Sequence, residues 1–258
     1  MRTLRLTVAY DGGRFVGWQR QGEGESVQGL LEDALANLEG RAVTVHGAGR
    51  TDAGVHALAQ VASVSVACGH DTETVRRALN ARLPIDIRVT SVHEADADFH
   101  ARRSARGKTY RYLIANLPVA SPLLAPHAWH IPEPLDRRSM EAAAAALIGV
   151  HDFAGFQSGG GSVQTTVRTV TFSGFREVAI ELLGADAGAL LAYEISGDGF
   201  LRHMVRAIAG TLVEIGRGWR RPDAIARLLA HGDRGQGGAT APAHGLFLVR
   251  VDYEGPRP

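Results

Sequence analysis

The chain has 258 residues, 45% hydrophobic and 21% charged, a globular composition with room for one large domain or two smaller ones sharing a core. Its apolar stretches, such as that around Ala142 to Val150, are too short to cross a bilayer, and Met1 to Val8 alternates without the apolar core of a signal peptide, so a cytoplasmic protein is expected. A single cysteine, Cys68, excludes a disulfide framework and a cysteine-rich zinc site, while the net charge of +1 says nothing about partners.

The first predicted element is a strand from Leu4 to Tyr10, of period two, ending in the turn Asp11-Gly12-Gly13. Ser26 is placed to cap a helix whose apolar positions are Val27, Leu30, Leu31, Ala34, Leu35 and Leu38, stopped by Gly40. A β-branched strand follows from Ala42 to His46, then a glycine-broken loop from Gly47 to Gly54 and an alternating strand from Gln60 to Ala67, with Cys68 expected as a buried strand-end thiol. Thr72 opens a second helix through Val75, Ala78, Leu79 and Leu83, Pro84 stops it, and Ile85 to His93 is a strand. The order β-α-β-β-α-β is that of a ferredoxin-like unit.

The second half repeats this rhythm less cleanly. Tyr110–Ala115 is read as a strand, Ser139–Ile148 as a helix, and Val167–Phe175, Val178–Leu183 and Leu190–Ser196 as three strands. Gln157 to Gln164, with Gly159-Gly160-Gly161, is expected as a mobile loop. Leu201 to Val213 has helical spacing, Pro222 opens another helix through Ile225, Leu228 and Leu229, and Leu246–Tyr253 is the last strand. Thr3–Ala9 can be laid on Thr109–Ala115 with Thr, Arg and Ala matching, which suggests two similar halves joined near residues 100–108.

Three stretches carry candidate chemistry. Gly47-Ala48-Gly49-Arg50-Thr51-Asp52-Ala53-Gly54-Val55-His56-Ala57 puts three glycines into a tight loop that could hold a carboxylate and a guanidinium against a ligand. Arg50 and Asp52 are two apart and share a side if the segment is extended; an ordinary turn with a surface aspartate fits the same residues. The loop is no dinucleotide fingerprint, because Asp52 stands where the third glycine should be and would repel pyrophosphate. The second stretch, Asp98 to Tyr112, places five cations in ten residues (Arg102, Arg103, Arg106, Lys108 and Arg111) among aromatics. Cations for phosphates and rings for bases make an RNA-binding footprint, and a solvated basic linker before a core strand is the alternative. In the third, Gly197 to Arg206, a helix would put Arg202 and Arg206 on one face, as phosphate or carboxylate partners or as plain surface arginines.

These stretches together resemble the tRNA pseudouridine synthase A family. The resemblance rests on Gly49–Ala57, on Tyr10-Asp11-Gly12-x-x-Phe15-x-Gly17-Trp18-Gln19-Arg20-Gln21, and on Phe99-His100-Ala101-Arg102. Tyr110-Arg111-Tyr112, Phe200-x-x-His203-Met204-Val205-Arg206 and Gly245-Leu246-x-Leu248-Val249 fit as well, in the family's order across nearly the whole chain; Asp152–Gln157 departs from its pattern. The resemblance implies an α+β chain of two ferredoxin-like (RNP-like) halves in a mixed, mostly antiparallel sheet with a central basic cleft, the pseudouridine synthase fold. Residues 1–104 would carry the aspartate loop and 105–258 complete the cleft. It further implies an isomerase acting on uridines 38, 39 and 40 of the tRNA anticodon stem-loop, as a homodimer, with no metal or organic cofactor and no membrane.

By the same resemblance Asp52 is the catalytic carboxylate, Tyr110 stacks on the target base, Arg206 pairs with the aspartate, Arg50 holds the flipped nucleotide and Leu246 lines the base pocket. Arg102, Arg103, Arg106, Lys108 and Arg202 are expected to contact the RNA. The chemistry suits these types: a carboxylate attacks ribose C1′ or uracil C6, or assists glycal formation, and a nearby cation keeps it ionised. The tyrosine hydroxyl is a candidate for the C5 proton step. A non-catalytic RNA-binding protein would not need Asp52; a synthase for another RNA would.

Overall fold

In the computed structural model, which describes residues 1–158, 164–180 and 185–254, the chain is α+β and divides into two compact units. The first comprises Met1–Arg106 and the segment that returns at Phe247; the second begins at Gly107 and runs to Leu246.

The first unit follows its sequence pattern closely. Alternation in β1 (Arg2–Tyr10) buries Leu4, Leu6, Val8 and Tyr10 on one face. β1 lies between β3 (His56–Val66) and β4 (Ile87–Ala95), antiparallel to both; Leu4 is opposite Val64 and Leu6 opposite Ala62. The apolar stripes of α1 (Val27–Glu39), with Leu31, Ala34 and Leu35 buried, and of α2 (Thr72–Arg82), with Val75 and Leu79 buried, complete the core. Ser26 caps α1 as expected, its hydroxyl accepting from Gly29 N at 3.2 Å, and Gly40 ends it in the left-handed conformation.

The strand expected over Ala42–His46 shrinks to β2 (His46–Gly47), which pairs with Ser63 and Ala62 of β3. Val45 is instead held by side chains of α1, its N–H on Glu32 Oε1 and its carbonyl on the Gln28 amide. β3 starts at His56 rather than Gln60, and Cys68 is half-buried two residues beyond its end. Ile85 is exposed in the turn that Ile87 N closes onto Pro84 O, so β4 begins later than predicted. The last strand, β10 (Leu246–Asp252), runs parallel to the start of β3, Phe247 opposite His56, and from Phe247 onward belongs to the first unit. By position in the sequence it goes with the second half, since pairing over such a separation leaves no local mark.

In the second unit β5 (Gly107–Ala115) pairs antiparallel with β9 (Ala185–Gly197), β9 with β8 (Val167–Ile180), and β8 with the short β7 (Gly149–Asp152); β6 (Trp129–His130) runs parallel to the end of β5. The two strands expected over Val167–Phe175 and Val178–Leu183 are one long strand as far as Ile180, because Arg176 and Glu177 keep their ladder positions opposite Ala192 and Leu191. Leu183 and the Gly159–Gly161 segment lie outside the described residues. Tyr112, Ile114, Leu191, Tyr193 and Ile195 are buried on one face; α4 (Met204–Gly216) packs on β5 and α3 (Arg137–Ala145) on β8, with α5 (Ala224–His231) against both helices. α4 is buried over nearly its whole length. It begins at Met204, not Leu201, because His203 takes a positive φ of 62°. Arg202 therefore precedes the helix, and the shared helical face expected for Arg202 and Arg206 does not form.

Candidate active site

The loop Gly47 to Val55 is fixed almost entirely by groups that fall outside it. Ala48 N donates to Val61 O at 2.8 Å, and the Gln60 amide donates to Gly49 O at 2.8 Å. Thr51 is buried, its hydroxyl 2.8 Å from the Tyr10 hydroxyl, and its carbonyl accepts from Trp18 N at 3.0 Å. Val55 N closes the turn onto Asp52 O at 3.1 Å. Burial alternates along the loop: Arg50 is exposed, Thr51 buried and Asp52 half-buried, so the two charged residues flank an inward anchor. Burial pushes the Tyr10 phenol up to about 12, so it remains a neutral partner for Thr51 at ordinary pH.

The segment from Asp11 to Trp18 clamps the loop by backbone approach. A Cβ on Gly12 would fall 2.0 Å from Val55 O, and one on Gly17, whose φ is 108°, would fall 2.5 Å from Thr51 O. A Cβ on Gly47 would strike the Trp18 indole. Gly12 N also donates to Nδ1 of buried His56 at 3.0 Å, and the His56 ring stacks on Phe247 at 4.7 Å. Tyr10, Gly12, Gly17 and Trp18 stood in the sequence as family motif residues without a role; their role is to hold the aspartate loop. Gln60 carried no signal, since a buried glutamine in an alternating strand looks like any outward polar position.

The basic segment after Phe99 is also fixed. Ala101 N donates to Ser63 Oγ at 3.0 Å, Tyr253 Oη donates to Ala101 O at 2.7 Å, and Arg106 N donates to Asp252 O at 2.7 Å. Arg102 and Arg103 are exposed and Arg106 half-buried. Arg50 and Asp52, and separately Arg102, Arg103 and Arg106, are thus residues of the first unit, whereas Lys108, Tyr110, Arg202, Arg206 and Leu246 are residues of the second.

In the second unit Tyr110 and Tyr112 share a face of β5. Tyr110 is 7% exposed and meets Phe200 edge-on at 5.1 Å, while Tyr112 is fully buried and donates to Pro242 O at 2.8 Å. Burial drives the Tyr112 phenol far above its ordinary value, with the Arg206 charge opposing. Arg206, on the first turn of α4, donates from Nε to Ala241 O at 2.7 Å, and Ala241 N returns a bond to Arg206 O at 3.1 Å. The guanidinium plane is thereby set. Gly245 packs on the Tyr112 ring, a Cβ there falling 2.6 Å from it, next to buried Leu246. β5, the start of α4 and residues 241–246 thus bring Tyr110, Arg206 and Leu246 into adjacent elements. Half-buried Lys108 begins the same strand, and exposed Arg202 sits in the turn before α4. Arg111, counted in the basic run, is committed to Glu194, with Nη2 2.6 Å and Nε 2.9 Å from Oε1. It balances a buried carboxylate and is withdrawn from the RNA-binding set.

Comparison with known proteins points one way. A family model described as tRNA pseudouridine synthase matches residues 6–102 and 143–254. The chain is 44% identical over 253 residues to a tRNA pseudouridine synthase A of Acetivibrio thermocellus, covering 98% of this chain and 100% of the relative. It is 45% identical over 261 residues to the protein of that name in Solidesulfovibrio magneticus, covering 99% and 93%, and 42% identical over 257 residues to that of Myxococcus xanthus, covering 99% and 94%.

Proposed function

Because the chain belongs to the tRNA pseudouridine synthase family, we propose that this isomerase converts uridine to pseudouridine at positions 38, 39 and 40 of the tRNA anticodon stem-loop, with Asp52 as its catalytic carboxylate. The observation that carries the assignment is the anchoring of Thr51 by Tyr10 and Trp18, which holds Asp52 half-buried on a loop pinned at both ends. A catalytic group must be held in place before the substrate arrives, and this loop has little freedom to lose.

The reaction breaks the N1–C1′ bond, turns the uracil and joins C5 to C1′, with the C5 proton lost and a proton gained at N1, so no external group or electron is needed. Asp52 attacks C1′ or C6, or assists loss of the base as a glycal. Arg206 is assigned to pair with and orient the carboxylate, as the family likeness implies, and Tyr110 covers the uracil face and serves the C5 proton step. Arg50 holds the extruded nucleotide and Leu246 lines the base pocket. Extrusion costs about a few kcal/mol, offset by phosphate contacts from Arg102, Arg103, Arg106, Lys108 and Arg202. Among the described residues no helix is long and apolar enough to cross a membrane. We place the enzyme in the cytoplasm as a homodimer, as the family likeness implies.

The test is tritium release from tRNA carrying 5-tritiated uridine at 38, 39 or 40, by wild type and by Asp52→Ala. Release by wild type alone is expected. Release by both would unseat Asp52; release by neither, with tRNA bound, would favour another RNA as substrate or a non-catalytic binder.

A further inference from the structure

His46 opens β2 on the strand that leads into the aspartate loop, opposite Ser63 of β3. It is exposed, yet its ring is not left to rotate: it stacks on His100 with centroids 4.8 Å apart and planes at 26°. Both rings are brought there by one residue, since Ser63 pairs with His46 through the ladder and accepts Ala101 N on its hydroxyl. His100 is held from both sides, its carbonyl accepting Ser104 N at 2.8 Å and its N–H donating to Ser104 Oγ at 3.1 Å. Phe99 beside it packs on Tyr253 at 5.0 Å. Nδ1 of His100 accepts Arg102 N at 3.2 Å, which fixes the neutral tautomer with its proton on Nε2. Burial and the neighbouring Arg103 and His46 push its pKa down, so His100 offers the stack a neutral ring.

An exposed ring, backed by a second ring on a pinned segment and bordered by exposed Arg102 and Arg103, has the parts of a nucleobase platform: a flat face for stacking and cations for the adjoining phosphates. His46 precedes Asp52 by six residues, so their Cα atoms lie no more than about 22 Å apart whatever the path of the loop. That is the range of a nucleotide near the target, not of a distant arm of the RNA. We propose that His46, supported by His100, stacks on an unpaired base of the tRNA substrate close to the target uridine. The inference rests on tRNA being the substrate and names a contact that the loop chemistry does not require.

The experiment measures affinity for an unmodified tRNA transcript in an Asp52→Ala background, where turnover cannot intervene, across a salt series. Adding His46→Ala should weaken binding roughly 5- to 100-fold with the slope of log K against log salt unchanged, because a lost stack releases no counterions. His46→Phe should bind within about threefold of the parent, since phenylalanine stacks as well. Unchanged affinity of the alanine variant, or no rescue by phenylalanine, overturns the platform, as does a slope reduced by about one, which would make His46 a phosphate contact. Turnover of tRNA by wild type alongside unchanged binding by the alanine variant would sink the platform and leave the substrate standing. No binding of tRNA by the parent would sink both.

Discussion

The hydroxyls of Tyr10 and Thr51 are both buried and 2.8 Å apart, so each supplies most of what the other needs. Removing one partner strands the other; removing both leaves an apolar contact of similar shape. Tyr10→Phe and Thr51→Val should therefore each cost about 1–2 kcal/mol of stability, and the double variant clearly less than their sum. Denaturant melts of the four proteins measure this, and strict additivity would show that the pair is not coupled. Because Thr51 sits between Arg50 and Asp52, the single variants should also lower the turnover number, by roughly tenfold, while tRNA affinity stays within a few-fold. Single-turnover kinetics separate the two. The sequence offered Asp52 and Arg50 through their loop, since glycine-rich loops with charges advertise themselves. It did not offer Thr51 or Gln60 as anchors, because an anchor is defined by what lies across from it.

At the scale of elements, two glycines with the same kind of backbone should respond differently to the same substitution. Gly40 ends α1 at φ 69°, and a Cβ there would meet nothing within 4 Å. Gly40→Ala should cost about 1–2 kcal/mol, the price of a left-handed alanine, and leave turnover unchanged. Gly17 lies at φ 108° with Thr51 O only 2.5 Å from where a Cβ would sit. Gly17→Ala should cost roughly 2–4 kcal/mol and displace the aspartate loop, lowering turnover at least about tenfold. Equal effects of the two on turnover would show that the Asp11–Trp18 segment does not set the loop. Period and caps made β1, α1, α2 and β5 legible, because each buries a stripe that repeats in its own residues. The return of β10 to β3 was not, being a pairing between residues far apart in sequence. Nor was the late start of α4, which depends on a positive φ at His203, a residue type that gives no warning of it. Arg202 was misplaced relative to Arg206 for that reason alone.

At the scale of the whole molecule, a net charge of +1 leaves little long-range attraction for a polyanion, so affinity for RNA must come from local surplus. Much of the arginine is neutralised within the protein: Arg14 with Asp86 and Glu25, Arg20 with Glu32 and Asp33, Arg111 with Glu194, Arg220 with Glu214, Arg227 with Asp223. Among the described residues, Arg102 and Arg106 have no carboxylate partner, and they lie on a segment pinned to Ser63 and Asp252. Such cations can release counterions from RNA without first breaking an ion pair. Arg102→Ala combined with Arg106→Ala should weaken tRNA binding and reduce the slope of log K against log salt by about two. Arg227→Ala, which removes one charge from a pair with Asp223, should leave the slope where it was. Filter binding across a salt series reads both. An unchanged slope in the double variant would take this segment off the RNA-binding surface, whereas an equal fall per charge removed in both variants would mean that total charge, rather than its placement, governs the encounter.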